Sequence, residues 1–184
     1  MGKLVISEWV SLDGVFDADT MADWFQPFES AERGEVIKGN IDAAGAFLMG
    51  RITYQMLASY WPQKKHNEDG VADRLNQLPK YVVSETLESA EWNNSRIIKS
   101  DVANAVRELK QASDQELLVF GSAMLVRSLM KAGLVDELRI LVHPVIAGTG
   151  RRFYRDGMDP TRLELLEARP LSGGVLFLRY GAAS

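Results

Sequence analysis

The chain has 184 residues, 46% of them hydrophobic and 25% charged, and this composition is typical of one globular domain. Its net charge of −4 does not favour nucleic acid as a partner, its lack of cysteine excludes disulfides and thiolate chemistry, and no apolar run reaches the roughly 18 residues of a membrane span. We therefore expect a single domain over residues 1–184 of a cytoplasmic protein, with neither a nucleic-acid nor a membrane partner.

Apolar runs and amphipathic stretches alternate from the start of the chain and predict strands followed by helices. Residues 3–10 predict a first strand, and Ser11-Leu12-Asp13-Gly14 ends it. The segment 15–30 shows no regular period and is rich in aromatic and acidic residues. The next predicted elements are a helix at about 29–38, a strand at 45–49 and a helix at 53–59.

The alternation continues after a polar stretch, 63–70, which we interpret as an exposed loop. Asp101 is placed to cap a helix whose inward side carries Val102, Val106 and Leu109. The other elements predicted here are a weak helix at 71–77 and strands at 80–84, 96–99 and 116–120. The last of these strands is a continuous apolar run of the kind that is buried on both faces of a sheet.

The clearest helix of the sequence begins at Ser122, a good N-cap residue, and ends at Gly133, where a C-cap glycine belongs. Ser172-Gly173-Gly174 is typical of a hairpin turn. The strands that complete the chain are predicted at 137–143, 162–168 and 175–180. Strands and helices that alternate, with an antiparallel pair at the end, predict an α/β fold.

Two glycine turns follow apolar runs and open helical patterns. The first is Ala46-Phe47-Leu48-Met49-Gly50-Arg51-Ile52-Thr53, and the second is Leu117-Leu118-Val119-Phe120-Gly121-Ser122-Ala123. A strand that turns at glycine directly into a helix leaves free N–H groups at the positive end of the helix dipole, and these attract anions. Two such turns indicate a site for a pyrophosphate, and a dinucleotide is the natural ligand.

Other general-purpose motifs do not fit. Gly148-Thr149-Gly150 begins like a Rossmann fingerprint, but Phe153 stands where its third glycine belongs. The sequence contains no P-loop and no G-x-S-x-G elbow. With His66 and His143 as its only histidines and no cysteine, the chain cannot form a His/Cys metal cluster. A magnesium site built from carboxylates alone stays open, but no pattern supports it, and we predict no metal site.

An ordered set of short motifs resembles the dihydrofolate-reductase-like family. More closely, the chain is similar to stand-alone relatives of the C-terminal reductase domain of the bifunctional riboflavin-biosynthesis protein, and the resemblance runs from about residue 3 to residue 180. The motifs are Ser11-Leu12-Asp13-Gly14, Leu48-Met49-Gly50-Arg51-Ile52-Thr53-Tyr54, Lys80-Tyr81-Val82-Val83-Ser84, Val119-Phe120-Gly121-Ser122, Gly133-Leu134-Val135-Asp136-Glu137 and His143-Pro144-Val145-Ile146-Ala147-Gly148-Thr149-Gly150.

The resemblance implies a three-layer α/β fold with a mostly parallel eight-stranded sheet and an antiparallel C-terminal hairpin. It implies NADPH bound across the strand ends and hydride transfer to a small planar heterocycle, as in 5-amino-6-(5-phosphoribosylamino)uracil reductase and dihydrofolate reductase. It also implies a homodimer. The alternative is a protein that binds a dinucleotide or a heterocycle and has lost turnover.

Cofactor residues follow from the matching turns. The resemblance places the pyrophosphate against Gly50, Arg51, Ile52 and Thr53 in the first turn and against Gly121, Ser122 and Ala123 in the second. It places the adenosine ribose and its 2′-phosphate near Ser84, with Lys99 as a nearby cation. Glu85 puts a negative charge beside Ser84, which opposes a 2′-phosphate, so NADH remains an alternative.

The substrate side is expected near Asp13, which either positions a polar ligand or relays a proton, or else only forms a tight Asp-Gly turn. Aromatic residues could wall a flat heterocycle or could serve the core; they are Trp9, Trp24, Phe25, Tyr54 and Trp61. The riboflavin-pathway reductase usually has an acid where this chain has Phe120. The early-helix acid of dihydrofolate reductases has only Asp23 and Glu29 as candidates by position, so the proton donor is not assigned.

Overall fold

The computed structural model describes residues 1–182, which form one eight-stranded sheet with helices on both faces. The strands are β1 (Leu4–Ser11), β2 (Ala44–Gly50), β3 (Lys80–Val83), β4 (Ser95–Ile98), β5 (Glu116–Val119), β6 (Glu137–His143), β7 (Leu163–Pro170) and β8 (Leu176–Ala182). The helices are α1 (Met21–Trp24), α2 (Ala31–Ala43), α3 (Arg51–Ala58), α4 (Ala72–Gln77), α5 (Val102–Ala112) and α6 (Ala123–Lys131). Within residues 1–182, no helix is long and apolar enough to cross a membrane.

The strands lie in the order β4-β3-β2-β5-β1-β6-β8-β7. The first six strands of the chain pair in parallel, whereas β8 runs antiparallel to both β6 and β7. This confirms the predicted fold class, a mostly parallel sheet that ends in an antiparallel hairpin.

The helices divide between the two faces of the sheet. Val106 of α5 and Leu125 of α6 pack with Ile6 of β1 on one face. Ile41 of α2 and Tyr54 of α3 pack with buried residues on the other face. The chain therefore leaves β5 toward one face and leaves its neighbours β1 and β2 toward the opposite face. In open α/β sheets, such a reversal creates a crevice at the carboxyl ends of the strands, where ligands bind.

The strands β1 and β5 separate before β1 ends. Their pairing stops at Ile6 opposite Val119, whereas β1 stays paired with β6 as far as Ser11 opposite His143. The second half of β1 therefore has a neighbour on one side and borders an opening, which we call the β1–β5 gap, on the other.

Helix α2 extends five residues beyond its predicted end at 38 and buries polar side chains. Asn40 donates from Nδ2 to Ser7 Oγ at 3.1 Å and accepts at Oδ1 from the guanidinium of Arg139 at 3.2 Å. These bonds hold α2 against β1 and β6. The predicted helix ended too early because the prediction expected apolar residues on the buried face, where this helix carries Asn40. Asp101 occupies the N-cap position of α5 as predicted, but it has φ of +47° and makes no side-chain capping bond.

Candidate functional site

The two glycine turns lie against each other at the carboxyl ends of the neighbouring strands β2 and β5. A Cβ atom on Gly50 would come within 2.8 Å of Ser122 Oγ, and a Cβ atom on Gly121 would overlap Thr53 Oγ1. The Gly121–Ser122 peptide bond is cis, and Gly121 has φ of +46°. Each position therefore requires glycine, because a Cβ atom there would collide with a hydroxyl side chain of the opposite turn.

Both turns open helices that present their N-termini to the same crevice. Ser122 caps α6 by accepting the N–H of Leu125 at 3.5 Å, whereas Gly50 caps α3 without a side-chain bond. Backbone N–H groups in the first turn of α3 are therefore available to an anion. The remaining predicted pyrophosphate residues are Arg51 and Ile52, which are exposed, and Thr53 and Ala123, which are partly buried.

The predicted adenosine residues follow the adjacent strands β3 and β4. Val83 is paired with Ile98, so Ser84 and Lys99 stand one residue beyond the last rung of the two strands. The Ser84 hydroxyl accepts N–H groups of Thr86 at 3.2 Å and Leu87 at 2.9 Å, which leaves its own proton free to donate. Lys99 and Glu85 are both exposed.

Glu8 lies at the β1–β5 gap, and the sequence patterns did not identify it. Its side chain is almost fully buried, and its Oε1 accepts the N–H of Gly121 at 2.6 Å. Among residues 1–182, no cation forms an ion pair with it. Burial raises the pKa of Glu8 well above its usual value, and the Gly121 bond offsets this only in part. A buried carboxyl of this kind keeps its proton to higher pH than a surface glutamate does.

An aromatic cluster covers the opposite face of β1 and β6. Phe25 stacks on Trp9 with ring centroids 4.4 Å apart and lies 5.2 Å from the His143 ring. Trp24 and Phe28 contact His143 as well, at centroid distances of 5.7 and 5.9 Å. Three of the aromatic residues predicted for the substrate side, Trp9, Trp24 and Phe25, therefore meet here.

Tyr54 is not part of this cluster. It is buried beside Trp92, and its hydroxyl accepts the Trp92 N–H at 2.9 Å. The prediction that Tyr54 lines the substrate side is thus corrected: it faces the core because α3 turns this residue toward the sheet. Trp61 likewise packs against the core cluster that contains Tyr54.

Asp13 is bound by its own surroundings. Its carboxylate accepts the Ser11 hydroxyl at 2.6 Å and the N–H groups of Ala147 and Gly148, each at 3.0 Å. The Ser11 bond, followed by the two backbone bonds, lowers the pKa of Asp13 to about 2. The geometry therefore favours the turn-forming role over the proton relay, because this carboxyl is ionised near neutral pH.

Neither acid suggested for the early helix reaches the cluster. Asp23 and Glu29 are exposed, whereas Arg33, in the first turn of α2, is 6% exposed and turns inward. Its guanidinium donates to the carbonyl oxygen of Phe25 at 2.6 Å and lies 4.0 Å from the centre of the Phe25 ring. Sequence patterns assign charged residues to the solvent, so both Glu8 and Arg33 escape them.

Comparison with known proteins identifies the family. Residues 3–177 match the RibD C-terminal domain. YyaP of Bacillus subtilis (strain 168), an uncharacterized protein, is 28% identical over 138 residues, which cover 72% of this chain and 71% of YyaP.

Two solved structures share the fold. A Shewanella sp. PV-4 protein provisionally named for riboflavin biosynthesis aligns over the full length of both chains with a TM-score of 0.79 and 18% identity. Dihydrofolate reductase from Enterococcus faecalis, solved with NADP(H), has a TM-score of 0.67 and 14% identity, covering 100% of this chain and 98% of that one. The fold is thus dihydrofolate-reductase-like, and the match over residues 3–177 shows that the chain belongs to the RibD C-terminal domain family.

Proposed function

We propose that this protein is a nicotinamide-dinucleotide-dependent reductase that transfers hydride to a small planar heterocycle. The observation that carries the proposal is the opposition of the two glycine turns, Gly50 against Ser122 and Gly121 against Thr53. The reductase families among its relatives agree with this assignment, and the experiment below tests it on the chain itself.

The turns suit a pyrophosphate because a cradle without Cβ atoms lets a phosphate approach the backbone. The first-turn N–H groups of α3 would bind one phosphate, and the Thr53 and Ser122 hydroxyls would donate to the other. Arg51 supplies a charged fork at the rim, since its side chain is exposed and its guanidinium donates to Gln55 Oε1, on its own helix, at 3.1 Å.

A bound nicotinamide would supply the hydride at the β1–β5 gap. There the chain itself contributes the buried Glu8 carboxyl on one side of β1 and the Trp9 indole on the other. Glu8 would hold a proton on its carboxyl group and fix the position of Gly121 through the 2.6 Å bond. We infer that it is the acid that supplies the proton matching the hydride, a role that Asp13 does not suit at neutral pH.

NADPH is the proposed cofactor, with NADH as the alternative. Ser84 can donate its hydroxyl proton, and Lys99 provides a cation at the end of the neighbouring strand. Glu85 opposes a 2′-phosphate, so the balance between Lys99 and Glu85 decides the preference.

Thermal unfolding with NADPH, NADH and NADP⁺ tests the proposal. A ligand at 100 times its Kd stabilises a fold by about 2.7 kcal/mol, which shifts the Tm by several degrees. A shift with NADPH, followed by its oxidation with a panel of planar heterocycles, supports the reductase. A shift without oxidation by any of them favours the binding protein, and no shift with any dinucleotide contradicts the reductase and leaves only a heterocycle-binding protein as the alternative.

We also infer a homodimer, from the family resemblance. The edge strand β7 leaves Leu163, Leu165 and Leu166 exposed, which supplies apolar surface for a second copy. Light scattering coupled to size-exclusion chromatography would measure the mass in solution, and a monomer at all concentrations would contradict the inference.

A further inference from the structure

Arg33 is a buried cation that forms no ion pair among residues 1–182, and the charge of the exposed Glu29 acts on it from beyond ion-pair distance. The Arg33 side chain is 6% exposed, yet among residues 1–182 no carboxylate lies within ion-pair distance of it. Its hydrogen-bond partner is the Phe25 carbonyl oxygen, which is neutral. Buried charges are normally paired, so a guanidinium held in this way indicates an anion that binds from outside the chain.

Two further polar atoms at the same cluster have no partner. Trp9 Nε1 and His143 Nε2 are buried, and neither forms a hydrogen bond with any residue among 1–182. His143 Nδ1 lies 3.1 Å from the Val10 carbonyl oxygen and must donate to it, so in the neutral ring Nε2 is left as an acceptor. Burial lowers the pKa of His143, which favours this neutral form. The cluster thus offers an unused donor and an unused acceptor.

The ring of Phe25 occupies the space between these groups. It stacks on Trp9 at 4.4 Å with an interplanar angle of 20°, lies 4.0 Å from the Arg33 guanidinium and contacts His143. Each of these contacts is one that a flat heteroaromatic ring would make equally well, and a ring N–H at the edge of such a ligand could donate to His143 Nε2, which phenylalanine cannot do.

The segment that carries Phe25 is attached to the rest of the protein through Asp17, which accepts hydrogen bonds from Arg151, and through the buried side chain of Trp24. It consists of short single turns at Ala18–Thr20, Met21–Trp24 and Gln26–Phe28, and its backbone bonds, such as Phe25 N–H to Met21 and Phe28 N–H to Phe25, are local. Movement of the segment would lift the Phe25 ring off Trp9 and also withdraw its carbonyl oxygen from Arg33. One displacement would therefore open the ring site and free the cation.

We propose that the slot formed by Trp9, Arg33 and His143 is a binding site for a planar heteroaromatic ring that carries an anionic group, and that Phe25 occupies it when no ligand is bound. The anionic group pairs with Arg33 and the ring takes the place of the Phe25 ring on Trp9. Trp9 follows Glu8 in the part of β1 that borders the β1–β5 gap, and the slot lies on the face of the sheet opposite the Glu8 side chain. The inference rests on the proposed function only in identifying this ligand as the substrate of the reductase.

Titration calorimetry of the purified protein, without any dinucleotide, tests the slot with matched ligands. Orotate and uracil are planar pyrimidines of which only orotate carries a carboxylate, and 6-carboxypterin and pterin form a larger pair of the same kind. We expect the carboxylated member of at least one pair to bind tenfold more tightly than its neutral partner. Equal affinities in both pairs, or no binding of any of the four to the Phe25→Ala variant, would overturn the proposal.

Substitutions at Arg33 and Phe25 separate the contribution of the charge to ligand binding from that of the ring-stacking position. Arg33→Met should remove the preference for the carboxylate and leave the neutral ligand within about twofold, while Phe25→Ala should tighten both members of a pair. Arg96→Met, at an exposed arginine of β4, is the matched control and should change neither. If Arg33→Met does not fold, Arg33→Lys keeps the charge but loses the planar fork, and we expect a preference reduced at least threefold.

An unchanged preference in a folded Arg33 variant contradicts the proposal. The calorimetric titration contains no dinucleotide, so its result is independent of the thermal-shift experiment with NADPH. A preference for the carboxylated ligand together with no thermal shift by NADPH would support the slot and contradict the proposed reductase. A thermal shift by NADPH together with no preference for the carboxylated ligand would contradict the slot and leave the proposed dinucleotide site supported.

Discussion

The N–H of Gly121, in the turn before α6, donates to the buried Oε1 of Glu8 on β1 at 2.6 Å. This bond joins the second glycine turn to the strand that borders the β1–β5 gap. It makes a single carboxyl both a support for the turn and a titratable group inside the crevice.

Glu8→Gln should alter the pH dependence of stability. Burial raises the folded-state pKa of Glu8 above its unfolded value, so its stabilising contribution is complete below the unfolded pKa and is lost as pH rises through the folded pKa. Glutamine keeps the acceptor for Gly121 but does not ionise. In urea unfolding, the variant should match the wild type near pH 4 and exceed it at alkaline pH. A constant difference across the range would contradict this assignment.

The same variant tests the proposed proton donor. We expect kcat to fall by about 10²-fold, the scale of a lost general acid, while the Kd for NADPH stays within about twofold because the Gly121 bond is retained. A matched loss of NADPH binding would instead show that Glu8 acts through the turn.

Gly50→Ala should destabilise the fold for a steric reason that a second substitution reverses. Gly50 has φ of −78° and ψ of 164°, which alanine adopts freely, so the obstacle is Ser122 Oγ at 2.8 Å from the new Cβ. Overpacking of this kind costs about 1–3 kcal/mol. Adding Ser122→Gly removes the obstacle, and the double variant should regain stability relative to Gly50→Ala in thermal unfolding. Additive losses would show that the two turns do not press on each other.

Thr53→Val should weaken NADPH binding by about 1–2 kcal/mol, the scale of a lost hydrogen bond to a charged group. The side chain keeps its shape, so the Tm without ligand should change little. Calorimetric titration measures the loss, and Thr20→Val, far from the turns in the chain, serves as the comparison. Unchanged affinity would remove Thr53 from the pyrophosphate site.

Asp13→Asn should destabilise the fold by about 1–2 kcal/mol at neutral pH, because the amide offers one acceptor where the carboxylate offers two to Ala147 and Gly148. The folded pKa of about 2 lies below the unfolded value, so the wild-type advantage exists above about pH 4 and is lost as pH falls toward 2. Unfolding curves at pH 7 and pH 3 measure this narrowing. A larger effect on turnover than on stability would restore Asp13 as a proton relay.

Lys99→Ala should weaken NADPH binding about fivefold and leave NADH within about twofold, since a partly exposed ion pair contributes up to about 1 kcal/mol. Glu85→Gln should have the opposite effect on NADPH. Parallel titrations with both dinucleotides measure the ratio, and equal losses for both would place the 2′-phosphate elsewhere.

Local patterns predicted much of the architecture. Strand β6 was expected at 137–143 and occupies Glu137–His143, and Ser122 caps α6 as expected. These elements succeed because burial follows their apolar periodicity and their ends carry ordinary caps. The two glycine turns were found for the same reason, although their mutual contact depends on β2 and β5 being neighbours, which no local pattern contains.

The missed features share one physical cause. Asn40 and Glu8 are buried polar side chains whose partners, Arg139 and Gly121, come from distant parts of the chain, and the buried Arg33 binds a carbonyl oxygen of the irregular segment before α2. A prediction based on residue polarity assigns such side chains to the solvent-exposed surface. Only the tertiary contacts show that they are buried. For Asp13, the sequence allowed a proton relay, a ligand contact or a turn. Its hydrogen bonds with Ala147 and Gly148, which lie in another loop, favour the turn.

The early parting of β1 from β5 leaves an incomplete rung in the sheet. A strand in a parallel ladder offers N–H and C=O groups alternately to each neighbour, and beyond Ile6 those on the β5 side of β1 meet no strand, while the Gly121 N–H has turned to the Glu8 side chain. A primary carboxamide presents an N–H donor and a C=O acceptor side by side in one plane, as the missing rung requires. A ligand bound in the crevice should therefore slow amide hydrogen exchange at residues 7–9. The other edge of this strand is already protected by its pairing with β6.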